Sequence, residues 1–233
     1  VAHVCDEIEY ALTFSAIQTK SQLRAFAIIA SASILAACAS KPPETDASPV
    51  PLRPLERMAG QQILVFPVQY LSLTDTLGWQ QQIPNRAAFL AAVDDQIEAA
   101  MSARGLGKAW TFGREVERAS KLNSMLIADA RSLSAEWLRG RVLSETTVRD
   151  PLQSQVRGLV GLKGSRYALL PVELRIENRG NGMGVAILRI VMIDSRMALI
   201  RWVGEVVSDP AKTLSPALTA SAAGHFADLV LAP

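Results

Sequence analysis

The chain is short of the side chains on which most catalytic and metal chemistry depends. It holds two cysteines, Cys5 and Cys38, and two histidines in 233 residues. If processing removes the segment before Cys38, no second thiol is left to pair and His225 is the last histidine. That excludes a disulfide framework and leaves only carboxylates as metal ligands. A base for Ser221, one turn before His225, would still need an orienting acid and an oxyanion site, so His225 reads as a helix-surface residue. Long apolar runs are also missing. The uncharged stretch Ala25–Ala37 is shorter than the roughly 20 residues a helix needs to cross a bilayer. An excess of positive charge is missing too: the formal net charge is +2, and arginines such as Arg118, Arg139 and Arg175 alternate with acids. No basic stripe follows a nucleic-acid backbone, which argues against that partner.

What is present is a composition able to build a core, 49% hydrophobic and 20% charged. It is preceded by an export-like segment. Lys20 and Arg24 flank the apolar run, which ends in Leu35-Ala36-Ala37-Cys38. These four residues resemble the lipobox of bacterial lipoproteins, with cleavage between Ala37 and Cys38. Small side chains at Ala36 and Ala37 fit an extended backbone into a peptidase, and the Cys38 thiol accepts a diacylglyceryl group. Each acyl chain, palmitate for example, adds about 0.8 kcal/mol per buried CH₂. The expected boundaries are a signal segment over 1–37, a proline-rich tether over 38–57, and one globular domain over 58–233. Asp6, Glu7 and Glu9 are unusual in a signal segment, so residues 1–19 are expected to be an over-extended start. Pro42, Pro43, Pro49, Pro51 and Pro54 favour an extended tether of about 3.1 Å per residue.

In the body, Gln62–Tyr70 reads as a strand that lies at an edge or stops pairing at Pro67. Pro84 is expected to open a helix carrying Phe89, Val93, Ile97 and Met101 on one face and stopping at Gly105. Ala109–Thr111 reads as a strand, and Arg114–Lys121, Leu133–Leu138 and Pro151–Leu162 as helices. Tyr167–Glu177, Val185–Asp194 and Leu199–Val207 read as an antiparallel meander turned at Asn181-Gly182 and Ser195-Arg196. Ser215-Pro216 caps a closing helix with Leu218, Ala222, Phe226 and Leu229 on its apolar stripe. The expected fold is α/β with α+β character: a mixed sheet of about five strands, ending in the three-strand meander, with helices packed on it.

The ILVFPV strand after a lipoprotein signal and the YALLPVELRI strand opening the meander are similar to the amino-terminal domain of TolB and its relatives. Those include the lipoprotein CsgG and the penicillin-binding-protein activator lipoproteins. The likeness runs over roughly residues 60–231, in element order and hydrophobic pattern. It implies an interaction role in the envelope and hands over no functional residue. The sequence has no surplus pair of alternating strands of the kind a CsgG-like pore uses. Ala39 after the lipidated position implies, by the family's sorting preference, the periplasmic face of the outer membrane.

No catalytic, cofactor or metal residue is expected. Asp94, Asp95 and Glu98 read as a solvated helix face opposite the apolar stripe. Gly158, Gly161 and Gly164 precede a strand instead of following one, so they do not cradle a phosphate. The leading expectation is a non-enzymatic, lipid-anchored protein that contacts envelope proteins, with exposed Trp79 as a partner contact and Trp110 and Trp137 in the core. The alternative is an envelope hydrolase acting on cell-wall or sugar polymers through Glu173 and Glu177. Because Arg175 stands between these two carboxylates, a charged ladder facing water is the simpler reading. A concave pocket around them would favour the hydrolase. Oligomeric state and ligand are not written in the sequence.

Overall fold

The structure is a computed structural model that describes residues 53–73, 75–140 and 146–232. Ala37, Cys38 and most of the expected tether lie outside these residues. The elements are β1 (Ile63–Val65), β2 (Leu71–Leu73), α1 (Arg86–Ala103), β3 (Trp110–Thr111), α2 (Gly113–Leu122), α3 (Leu152–Leu162), β4 (Tyr167–Gly180), β5 (Met183–Asp194), β6 (Leu199–Val207) and α4 (Pro216–Asp228). The sheet order is β3-β1-β4-β5-β6, with β2 also on β4. β1 is parallel to β3 and β4, and β4-β5-β6 is the antiparallel meander. The mixed α/β architecture and the meander stand as expected, with one more strand.

Successive side chains on β1 point to opposite faces, and each face has its own core. Ile63 and Val65 pack with Val93, Ile97 and Met101 of α1 and Phe226 of α4. Leu64 and Phe66 pack with Val116 of α2 and Val156 and Leu159 of α3. The packed body takes in Leu55, which is fully buried and donates its N–H to the Leu229 carbonyl at 3.1 Å.

Several local expectations are corrected. Of the two expectations for β1 the edge position is the one overturned, since β1 is an inner strand; its ladder does end before Pro67, at Val65. The segment after it, expected to be loop, supplies β2, which pairs with Leu174–Ile176 of β4. α1 begins at Arg86, because Asn85 caps it by accepting the Ala88 N–H at 2.9 Å. Around Leu133–Leu138 the chain forms only a 3-10 turn, Glu136–Arg139. In β4 a bulge shifts the register between Pro171 and Glu173. As a result Val172 joins the second core while Leu174 and Ile176 join the first. The expected simple alternation of Val172, Leu174 and Ile176 on one face is therefore broken.

The meander turns match their sequence signals. Asn181 and Gly182 have φ of 54° and 69°, the left-handed region that an Asn-Gly hairpin requires.

Candidate functional site

Trp79 is buried, not exposed: 6% of its surface is accessible. A Cβ on Gly184 would lie 2.5 Å from Trp79 Cη2 and 2.7 Å from Leu77 Cδ1. The loop thus closes over β5, and the indole fills the space that the missing side chain leaves. Its burial removes the premise on which it was chosen as a contact residue. Trp110 is also in the first core, and Trp137 packs partly against the second.

Glu173, Arg175 and Glu177 form a ladder on the face carrying the second core. Arg175 binds all the nearby acids: Nε to Glu177 at 3.1 Å, Nη1 to Glu173 at 3.2 Å and Nη2 to Glu205 at 3.0 Å. Burial works against the charge of this guanidinium, but its three carboxylate partners hold its pKa above the usual range. Arg189, only 4% exposed, donates from Nε to the Leu138 carbonyl at 2.8 Å, from Nη1 to Glu205 at 3.0 Å, and from Nη2 to the Gly140 carbonyl. Burial disfavours the Glu205 charge, yet Arg175 and Arg189 together draw its pKa below the ordinary value. The carboxylates are engaged in pairing, and Glu173 is buried. Glu173 and Arg175 are largely covered, so the ladder does not face water as expected, and Glu173 and Glu177 are both taken up by the Arg175 guanidinium.

Asp94 is the unforeseen residue. Asp95 and Glu98 are partly exposed, as a solvated face requires, but Asp94 is 4% exposed. Its Oδ1 accepts the Val68 N–H at 2.8 Å, and Oδ2 lies 2.9 Å from Arg131 Nη2. That second approach is an ion pair without hydrogen-bond alignment, so Asp94 Oδ2 is a buried atom with no hydrogen-bond partner. Arg131 also donates from Nε to Glu117 at 2.6 Å. Burial pushes the Asp94 carboxyl up to about 6, against the pull of Val68 N–H and Arg131. The cluster ties α1 to the end of β1 and to the segment after α2. A Cβ on Gly113 would sit 3.4 Å from the Asp94 side chain, so the start of α2 closes over it.

His225 Nδ1 lies 2.8 Å from the Val207 carbonyl, whereas Ser221 Oγ donates to Asp209 Oδ2 at 2.9 Å. The two side chains serve different partners. Gly158 lies within α3 against Ile127, and Gly164 turns out of the helix with φ of 66°. Among the described residues no group of three His, Cys, Asp or Glu is placed to hold a metal, and no helix is long and apolar enough to cross a membrane.

Two surface features remain. A half-open cavity of about 210 Å³ lies between α1 and the start of α4, lined by Phe89, Val93, Gln96, Leu214, Pro216 and Thr219. Gln96 Nε2 donates to the Pro216 carbonyl at 3.0 Å and bridges the two helices. On the other side of the sheet, Leu122, Met125 and Leu126 are 80%, 96% and 84% exposed at the end of α2. No sequence period marks them, because a turn has none.

No family model and no curated protein matches the chain. Solved structures similar to it include a PelC dodecamer from Paraburkholderia phytofirmans, at 12% identity and a TM-score of 0.37, covering 75% of this chain and 91% of that one. The LpoB C-terminal domain from Escherichia coli is 12% identical with a TM-score of 0.32, over 64% of this chain and 83% of that one. Lipoprotein GNA1162 from Neisseria meningitidis is 18% identical with a TM-score of 0.32, over 62% and 77% respectively. Identities and scores at this level carry no argument about partners, so function rests on the residues themselves.

Proposed function

We propose that this chain is a lipid-anchored envelope protein, attached through Cys38, that works through contacts with other proteins and not by catalysis. The observation that carries the reading is the Leu35-Ala36-Ala37-Cys38 box at the end of a short uncharged run, followed by a proline-rich stretch before the packed body. Thioether-linked acyl chains are a sufficient anchor, since two or more chains give stable attachment. The body adds a contact surface: the cavity between α1 and α4 has the size and apolar lining to take one large apolar side chain of a partner. The likeness to TolB-type domains and the preference implied by Ala39 agree with a place on the periplasmic face of the outer membrane. The hydrolase reading loses its residues, because Glu173 and Glu177 are both held by Arg175.

The test has two arms. Radiolabelled palmitate should mark the wild type and not Cys38→Ala; label that persists in the variant ends the anchoring claim. A photo-crosslinking residue at Ala92, exposed on the cavity rim, should trap one or a few envelope proteins in intact cells. Crosslinking to none would end the claim for this cavity.

A further inference from the structure

The turn after α2 exposes three large apolar side chains within five residues, Leu122, Met125 and Leu126, each at least 80% accessible. Among the described residues these three side chains are left almost wholly open, so they fit a soft surface better than a shaped one. Exposed basic side chains stand near them in the chain. Arg118 is exposed one turn before Leu122 on the same face of α2, and the Lys121 side chain is 67% exposed. Arg157 is exposed on α3 beside Gly158, which packs on Ile127 at the far end of the turn. Of the nearby acids, Glu117 is shared by Lys121 and Arg131, and Asp129, whose Oδ1 accepts the Arg131 backbone N–H, is exposed, so Arg118 and Arg157 carry the positive excess. An apolar tip with exposed arginines near it is an arrangement that seats in a headgroup layer, with the long basic side chains reaching out to phosphates.

We propose that the turn 122–126 is a membrane-contacting tip, which lays Leu122, Met125 and Leu126 into an anionic lipid surface and sets the orientation of the body on it. This rests on the lipid-anchored reading. About fifteen residues separate Cys38 from Arg53, and a chain of that length spans roughly 50 Å at most whatever its conformation. The body therefore stays within a short search of the surface. A tip too weak to hold a free protein is enough for one already tethered.

The experiment places an environment-sensitive nitrobenzoxadiazole label on Met125→Cys in the lipidated full chain carrying Cys5→Ala. The protein is reconstituted into vesicles of phosphatidylethanolamine and phosphatidylglycerol, with spin-labelled lipid as quencher. The label should shift to the blue and lose at least half its intensity, while one at Ser102→Cys, exposed at the end of α1, should stay water-like. Adding Leu122→Ser and Leu126→Ser should abolish the quenching and leave the melting temperature unchanged. A water-like label at position 125 overturns the proposal and is also what a protein-docking loop would give. Equal quenching in pure phosphatidylcholine overturns the anionic preference. Failure of the anchor is read separately: the Cys5→Ala chain with Met125 intact should take up no maleimide, and uptake there shows a free Cys38 thiol.

Discussion

The Trp79 indole occupies the place of a side chain on Gly184, about a hundred residues away in the sequence: a Cβ there would fall 2.5 Å from Cη2 and 2.6 Å from Cζ3. The ring is rigid and buried, so the clash has no flexible end to yield. Gly184→Ala should destabilise the fold by about 1–3 kcal/mol through overpacking. Trp79→Ala should cost about 3–5 kcal/mol through the cavity it leaves. Urea titrations of both variants check this. A Trp79→Ala protein with unchanged melting temperature would return the residue to the surface role expected from the sequence.

Asp94 predicts an unusual pH profile. Its folded pKa of about 6 lies above the ordinary 3.8, so the folded state holds its proton more tightly than the unfolded state. The stability from this group is full below pH 3.8 and is lost as pH rises through 6, a change of about 3 kcal/mol. Glu117 and Glu205, with lowered pKa values, act in the opposite direction below the ordinary carboxylate range. Asp94→Asn keeps an acceptor for Val68 N–H and does not titrate. Relative to wild type it should gain stability steadily between pH 4 and 7 in urea unfolding; parallel profiles would contradict the assignment.

The ladder separates buried from exposed pairing. Arg189→Met leaves the Leu138 and Gly140 carbonyls without their donor and should cost about 2–4 kcal/mol. Glu177, with a third of its side chain exposed, gains little from Arg175, and Glu177→Gln should cost less than about 1 kcal/mol. Denaturant midpoints compare the two directly.

How much of this the sequence discloses depends on where each partner lies. The α1 stripe, the meander and its Asn181-Gly182 turn are encoded in neighbouring residues, and all appear as expected. β2 was hidden because Leu71-Ser72-Leu73 has too short a pattern of its own; it is a strand because β4 offers it a free edge next to the bulge. Asp94 reads with Asp95 and Glu98 as a solvated face, but it stands three residues before Ile97 and seven before Met101, beside the buried stripe, where Val68 and Arg131 meet it. Trp79 needed the absence of a side chain at Gly184. For β2 and Trp79 the deciding partner was distant in sequence, where periodicity carries no information, whereas the Asn85 cap and the spacing of Asp94 are local signals that the sequence does carry.

β4 is the strand on which the others depend, and its lateness in the chain shapes how the protein is made. Ile63 of β1 pairs with Tyr167 of β4, about a hundred residues further on, so until β4 is available β1 has only the two-residue β3 to pair with. Contacts of such long range fold slowly and leave strand edges open to aggregation in the interval. For a chain that leaves the cytoplasm amino terminus first, β1 and α1 would emerge well before their main partner. On the export proposed above, a periplasmic holding chaperone that covers apolar segments should therefore matter more to its yield than the final stability of the fold would indicate.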